Sequence, residues 1–123
     1  MDKKGFTLIE MLVGMVLLAI GLLAIAGMQI KSVKGNFFSA NLTQASILAQ
    51  DRLESLRRLD FTHAELDVGT HNDGQIQAGQ GPTFSRSYAV TLVPGTTMRS
   101  ITVTVNWNDN SSHSVAFTTV RAD

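Results

Sequence analysis

Twenty-five consecutive residues, Phe6 to Ile30, carry a single charged side chain, Glu10. No other feature limits the fold as strongly. As a helix the run is about 37 Å long at about 1.5 Å per residue, enough to cross a hydrocarbon core of about 30 Å. It is too long for the apolar region of a secretory signal peptide, so it can remain as an anchor. Lys3 and Lys4 precede it and Lys31 and Lys34 come after it, so lysine counting orients it only weakly. Glu10 needs a separate reason. A carboxylate in hydrocarbon costs about 3 kcal/mol on insertion scales, so a position like this normally has a partner or a job.

The chain beyond the apolar run is long enough for one small domain. Ten basic and ten acidic residues cancel with neither sign gathered into a run, so nucleic acid is not an expected partner. There is no cysteine, which excludes disulfides, thiol chemistry and cysteine-bound zinc. His63, His71, Asp67 and Asp73 invite a metal, but they are scattered through a polar stretch and read better as solvated turn residues, with Arg52 as a snorkelling surface arginine. His113, Asp109 and nearby serines invite a triad, yet no nucleophile elbow or phosphate-binding glycine loop supports one. Neither enzymatic activity nor a cofactor is expected.

From Asn41 the apolar positions Leu42, Ala45, Leu48, Ala49, Leu53, Leu56 and Leu59 recur at threes and fours, which predicts an amphipathic helix ending near Leu59 to Phe61. Only Gly35 offers a soft point between it and the apolar run, so one long helix is expected. Thr62 to Thr83 reads as a polar loop. Three strands then alternate, with Phe84, Tyr88, Val90 and Leu92 on one face of the first, Ile101, Val103, Val105 and Trp107 on the second, and Val115 and Phe117 on the third. Pro94-Gly95 and Asn108 to Ser111 supply the turns. The expected fold is α+β: a long N-terminal helix, half membrane or assembly segment and half amphipathic, packed on a three-stranded antiparallel sheet.

Lys3-Lys4-Gly5-Phe6-Thr7-Leu8-Ile9-Glu10, leading into the apolar helix, resembles the N-terminal signal of type IV pilins and type II secretion pseudopilins. Ile20 to Gln29 and Ala49 to Arg57 are similar to PilV-type (pilus-modification) minor pilins. The resemblance implies a leader of residues 1–5 recognised through Lys3 and Lys4 and cut by prepilin peptidase between Gly5 and Phe6. It further implies N-methylation of Phe6, and pairing of Glu10 with the N-terminal amine of a neighbouring subunit. Residues 6–30 would be the transmembrane and assembly helix and residues 31–123 the soluble pilin domain. The implied partners are prepilin peptidase, the inner membrane before assembly, the inner-membrane assembly machinery, and other pilins and minor pilins. The implied location is the inner membrane for the precursor and then the cell-surface pilus or a periplasmic pseudopilus.

Major pilins of this family commonly have a proline in the apolar helix and a C-terminal disulfide loop, and this chain has neither. A minor pilin is therefore the expectation. The alternatives are a minor pseudopilin of a secretion system, a pilus-displayed adhesion or DNA-binding module using Thr62 to Thr83, and an unprocessed single-pass protein.

Overall fold

A computed structural model describes residues 4–123. Among the described residues the elements are one α-helix, α1 (Leu8–Arg58), a 3-10 turn (Ala64–Leu66), and four strands: β1 (Gly69–Gln77), β2 (Thr83–Leu92), β3 (Arg99–Asn108) and β4 (Ser112–Arg121). The chain divides into two units, one reaching to Phe37 and the other Phe38–Asp123.

Helix α1 forms because nothing in Leu8–Arg58 interrupts it: there is no proline, and Gly35 is accommodated as a helical residue at a cost of about 1 kcal/mol relative to alanine. Thr7 starts it, accepting from Glu10 N through Oγ1 at 3.3 Å and from Met11 N through its carbonyl at 3.1 Å. Arg57 and Arg58 occupy the last turn, where cations suit the helix dipole. Every described residue before Asn41 is exposed. The first unit therefore has no core of its own, and α1 contains a stretch long and apolar enough to cross a membrane.

The second unit buries Ala45, Ala49 and Leu56 of α1 against Phe84, Tyr88 and Val90 of β2 and Ile101, Val103, Val105 and Trp107 of β3, with Leu66 closing one end. Small alanines at the centre of the helix stripe let the helix backbone approach the sheet, while Leu48, Leu53 and Leu59 pack at its margins. The strand order is β1-β2-β3-β4, every neighbour antiparallel. Both expected hairpin turns are present. Gly95 takes φ +75° between β2 and β3, and Asn110 takes φ +80° between β3 and β4, conformations that glycine and asparagine tolerate best.

The sheet has four strands, not three. The extra one, β1, lies within Thr62 to Thr83, where the sequence reads as loop. Its pairing with β2 sets His71 opposite Tyr88 and Ile76 opposite Phe84, with a bulge between Asn72 and Gly74 that needs φ +85° at Gly74. The bulge breaks the period-2 alternation, and the half-buried row is His71, Asp73, Gly74 and Ile76. An apolar alternation is the usual signal for a strand, and here polar residues replace it.

That polar row is matched across the interface. Arg52, expected at the surface, is instead mostly buried at 16% side-chain exposure, with its Nε 2.9 Å from Asp73 Oδ2 and its Nη2 3.4 Å from Glu65 Oε2. Arg86 Nε donates to the same Asp73 oxygen at 3.0 Å and its Nη1 donates to Leu48 O at 3.1 Å. The Arg52 guanidinium lies over the Tyr88 ring, 5.1 Å from its centroid, and His71 stacks on that ring at 4.7 Å. Burial works against the Arg52 charge, but Asp73, Glu65 and Tyr88 together outweigh it and the guanidinium is held above its ordinary value. Burial likewise pushes the Tyr88 hydroxyl up, and that hydroxyl donates to Glu65 O at 3.0 Å.

A fragment beginning near Met28 should fold as a monomer, since the core draws only on the second unit. In it, Leu56→Ala should cost about 2 to 5 kcal/mol in urea denaturation. Leu53→Ala should cost less because Leu53 is only partly buried. Equal losses would mean that the helix is rotated from this face.

Candidate processing and assembly site

Of the residues the sequence singles out, Lys3 lies outside the described residues. Lys4 to Thr7 have no regular secondary structure and are exposed, and the helix begins at the next residue. A non-helical, exposed segment directly before a helix is accessible to a peptidase in an extended form. Gly5 has open space where a Cβ would stand, so the fold itself places no demand for glycine there. Phe6 is 80% exposed.

Glu10 has a local role that the spacing of the apolar run does not reveal. With Thr7 as the cap, Glu10 is the third helical residue, the position of the acid in a Thr-x-x-Glu capping box, and its charge favours the positive end of the helix dipole. Its carboxylate is exposed and has no ion-pair partner among the described residues. One turn further on, Gly14 leaves a gap on the same flank. Phe6, Glu10, Met11, Gly14, Met15 and Leu18 together line an open, shallow depression that is almost wholly apolar apart from the acid. The structure thus brings Phe6 and Glu10 to one flank of the first turns and adds Thr7 and Gly14. Thr7 is detectable in the sequence as the threonine three residues before an acid.

The polar clusters of the second unit offer no catalytic geometry. Ser111 Oγ and Asp109 Oδ1 both lie 2.8 Å from the same ring nitrogen, Nε2 of His113. A triad needs its serine and acid on opposite nitrogens, so this arrangement cannot relay a proton from serine to histidine. It acts as a brace. Asp109 Oδ2 accepts from Asn41 Nδ2 of α1 at 2.8 Å and from Trp107 Nε1 at 3.4 Å, while the His113 ring meets Phe38 edge-on at 4.9 Å. No group of three or more His, Asp or Glu is placed to hold a metal among the described residues. His63 Nδ1 accepts from Glu65 N, His71 Nε2 donates to Asp67 O, and Asp73 is taken by the two arginines.

Residues 1–26 match the family described as the prokaryotic N-terminal methylation motif. No curated protein and no solved structure matches the chain. The motif supports a precursor of the type IV pilin or pseudopilin kind, a structural rather than enzymatic class. It implies processing by a prepilin peptidase and assembly with other pilins. With the long apolar helix, it supports a membrane-anchored precursor.

The brace has a pH signature. The hydrogen bond from Asn41 holds the Asp109 carboxyl below its ordinary value, against burial and with help from Trp107 and His113. A depressed carboxyl stabilises the fold above its unfolded value and loses that contribution as pH falls through the lower folded value. Asp109→Ala should therefore lower the melting temperature at neutral pH, and the gap to wild type should close as pH drops below about 3.8. A gap unchanged down to strongly acid pH would show that the carboxylate charge is not part of the brace.

Proposed function

We propose that this chain is a minor pilin: a precursor whose leader, residues 1–5, is read through Lys3 and Lys4 and removed between Gly5 and Phe6. Phe6 then carries the N-methyl group, and the mature chain enters a type IV pilus as a structural subunit that primes or modifies it. The carrying observation is the methylation motif at residues 1–26 running into an apolar helix with no cover from its own chain. Residues 6–30 form the membrane and assembly helix. Residues 31–123 form the soluble part on the periplasmic or extracellular side. The minor role rests on the absence of proline from the helix and of cysteine from the chain, and the PilV-type likeness on Ile20 to Gln29 and Ala49 to Arg57. No enzymatic activity is assigned.

Glycine at position 5 supports the cut. Since the fold leaves room for a side chain there, the requirement for glycine comes from outside, as when a peptidase binds the backbone closely. Intact mass spectrometry of assembled material should show loss of residues 1–5 and one added methyl, and Gly5→Leu should leave the precursor uncut. Material still beginning at Met1 would overturn this function.

In the assembled filament Glu10 pairs with the Phe6 amine of a neighbour, seated in the depression that Gly14 opens. Opposite charges about 4 Å apart attract by about 4 kcal/mol at an effective dielectric near 20, and stranding one member of a buried pair costs about 3 to 5 kcal/mol. Glutamine also serves in a capping box, so Glu10→Gln keeps the helix start and removes only the charge. Both Glu10→Ala and Glu10→Gln should insert normally and drop sharply from sheared filaments in immunoblots. Equal incorporation of the Gln and wild-type forms would show that the carboxylate only caps the helix.

A further inference from the structure

Helix α1 starts abruptly, and the residues around its start carry the signals that keep a helix from growing upstream. The Thr7 carbonyl accepts the first helical bond, from Met11 N at 3.1 Å, and Thr7 Oγ1 accepts from Glu10 N at 3.3 Å. Thr7 is therefore the N-cap and Leu8 the first helical residue. Phe6 stands directly before the cap, and Met11 is the fourth helical residue. These are the two positions of a hydrophobic staple, which fixes the angle at which the chain enters a helix, and both side chains line the same depression. Cap and staple together define where α1 begins.

Without that signal the helix has reason to start earlier. Phe6 and Lys4 are acceptable helical residues, and Gly5 can itself serve as a cap. Where a helix start nears hydrocarbon, amides without a cap have no water to meet, and growth upstream carries them toward it. A helix capped at Gly5 would bond the Gly5 carbonyl to Ile9 N, the pattern of a first helical turn. That carbonyl belongs to the Gly5–Phe6 peptide. In this structure no backbone bond from a described residue reaches it, and Lys4 to Thr7 stay exposed and non-helical.

We propose that Thr7 is a positioning residue for leader removal: its cap stops the helix just past the Gly5–Phe6 bond and keeps that carbonyl open to attack. The cut adds water across the bond, leaving a carboxylate on Gly5 and an amine on Phe6. Thr7 acts through the backbone and needs no contact with the peptidase. This role presupposes the processing proposed above. Loss of a cap shifts a helix-start equilibrium by about five-fold, and cleavage of a segment that must open first tracks the population of its open form, so cutting slows by a similar factor.

The test follows the full-chain precursor by pulse-chase in cells with their own peptidase, with intact mass locating the cut. Thr7→Val keeps the shape of the side chain and removes the cap, whereas Thr7→Ser and Thr7→Asn change the shape and keep the cap. Among variants at wild-type membrane levels, the Val form should be cut about five-fold more slowly, and the Ser and Asn forms at the wild-type rate. In full-chain precursor purified into micelles from cells lacking the peptidase, the Phe6 Cα chemical shift should move toward helical values in the Val form and stay extended in the Ser and Asn forms. A Val form cut at the wild-type rate would overturn the proposal. So would an Asn form as slow as the Val form, which would mean that the peptidase reads threonine itself, or slow cutting with the Phe6 shift still extended. The two readings fail separately: a wild-type precursor that is never cut defeats the processing, while wild-type and Val precursors cut equally fast at Gly5–Phe6 defeat only the role of Thr7.

Discussion

The first half of α1 cannot bury its apolar surface within its own chain. Every described residue up to Ala40 is exposed, including a row of Leu, Ile, Val and Met that water would tolerate poorly. Such a helix has two stable surroundings, the hydrocarbon of a bilayer or the apolar flanks of other helices. A protein that moves from one to the other exchanges one apolar cover for the other, so apolar burial changes little in the transfer. Direction and register must then come from polar groups, and Glu10 is the only charged one between Phe6 and Ile30.

Glu10 satisfies a constraint of the helix itself and stays exposed on an open apolar flank. Within the chain it lies in the first turn after Thr7, where its charge complements the helix dipole. Its exposed carboxylate also sits beside the gap at Gly14. The local role explains why the acid is compatible with the start of the helix. It does not explain why the same turn should enter hydrocarbon, where an unpaired charge is costly.

The soluble unit solves a different problem. A single helix must hold a four-stranded sheet with no disulfide to help it. Its centre is apolar, with Ala45, Ala49 and Leu56 against β2 and β3. Its flanks are polar and specific: Arg52 and Arg86 share Asp73 on one side, and Asn41 and His113 meet Asp109 at the end. Charge pairs of this kind add little net stability against apolar replacements, but breaking one is costly, so they select a single arrangement over near alternatives. The carbonyls near the end of α1 and in the following turn are met by Arg121 at Leu56 and by Arg99 at Phe61 and Leu66, which ties β3 and β4 to the helix terminus.

Periodicity by itself determined most of the architecture. The apolar run and the stripe from Leu42 to Leu59 required one long helix, and alternation over residues 84–92, 101–107 and 115–117 required three strands, because each pattern has a single low-cost way to hide its apolar face. Only the tertiary structure decided the fourth strand and the place of Arg52. Both depend on partners distant in sequence: β1 is a strand because β2 offers it backbone hydrogen bonds and because Asp73, pushed inward at a bulge, meets arginines from α1 and β2. A polar residue seen in sequence reads as solvated. It leaves the open surface only when a complementary charge is brought to it, and that is a property of the folded chain, which no local window contains.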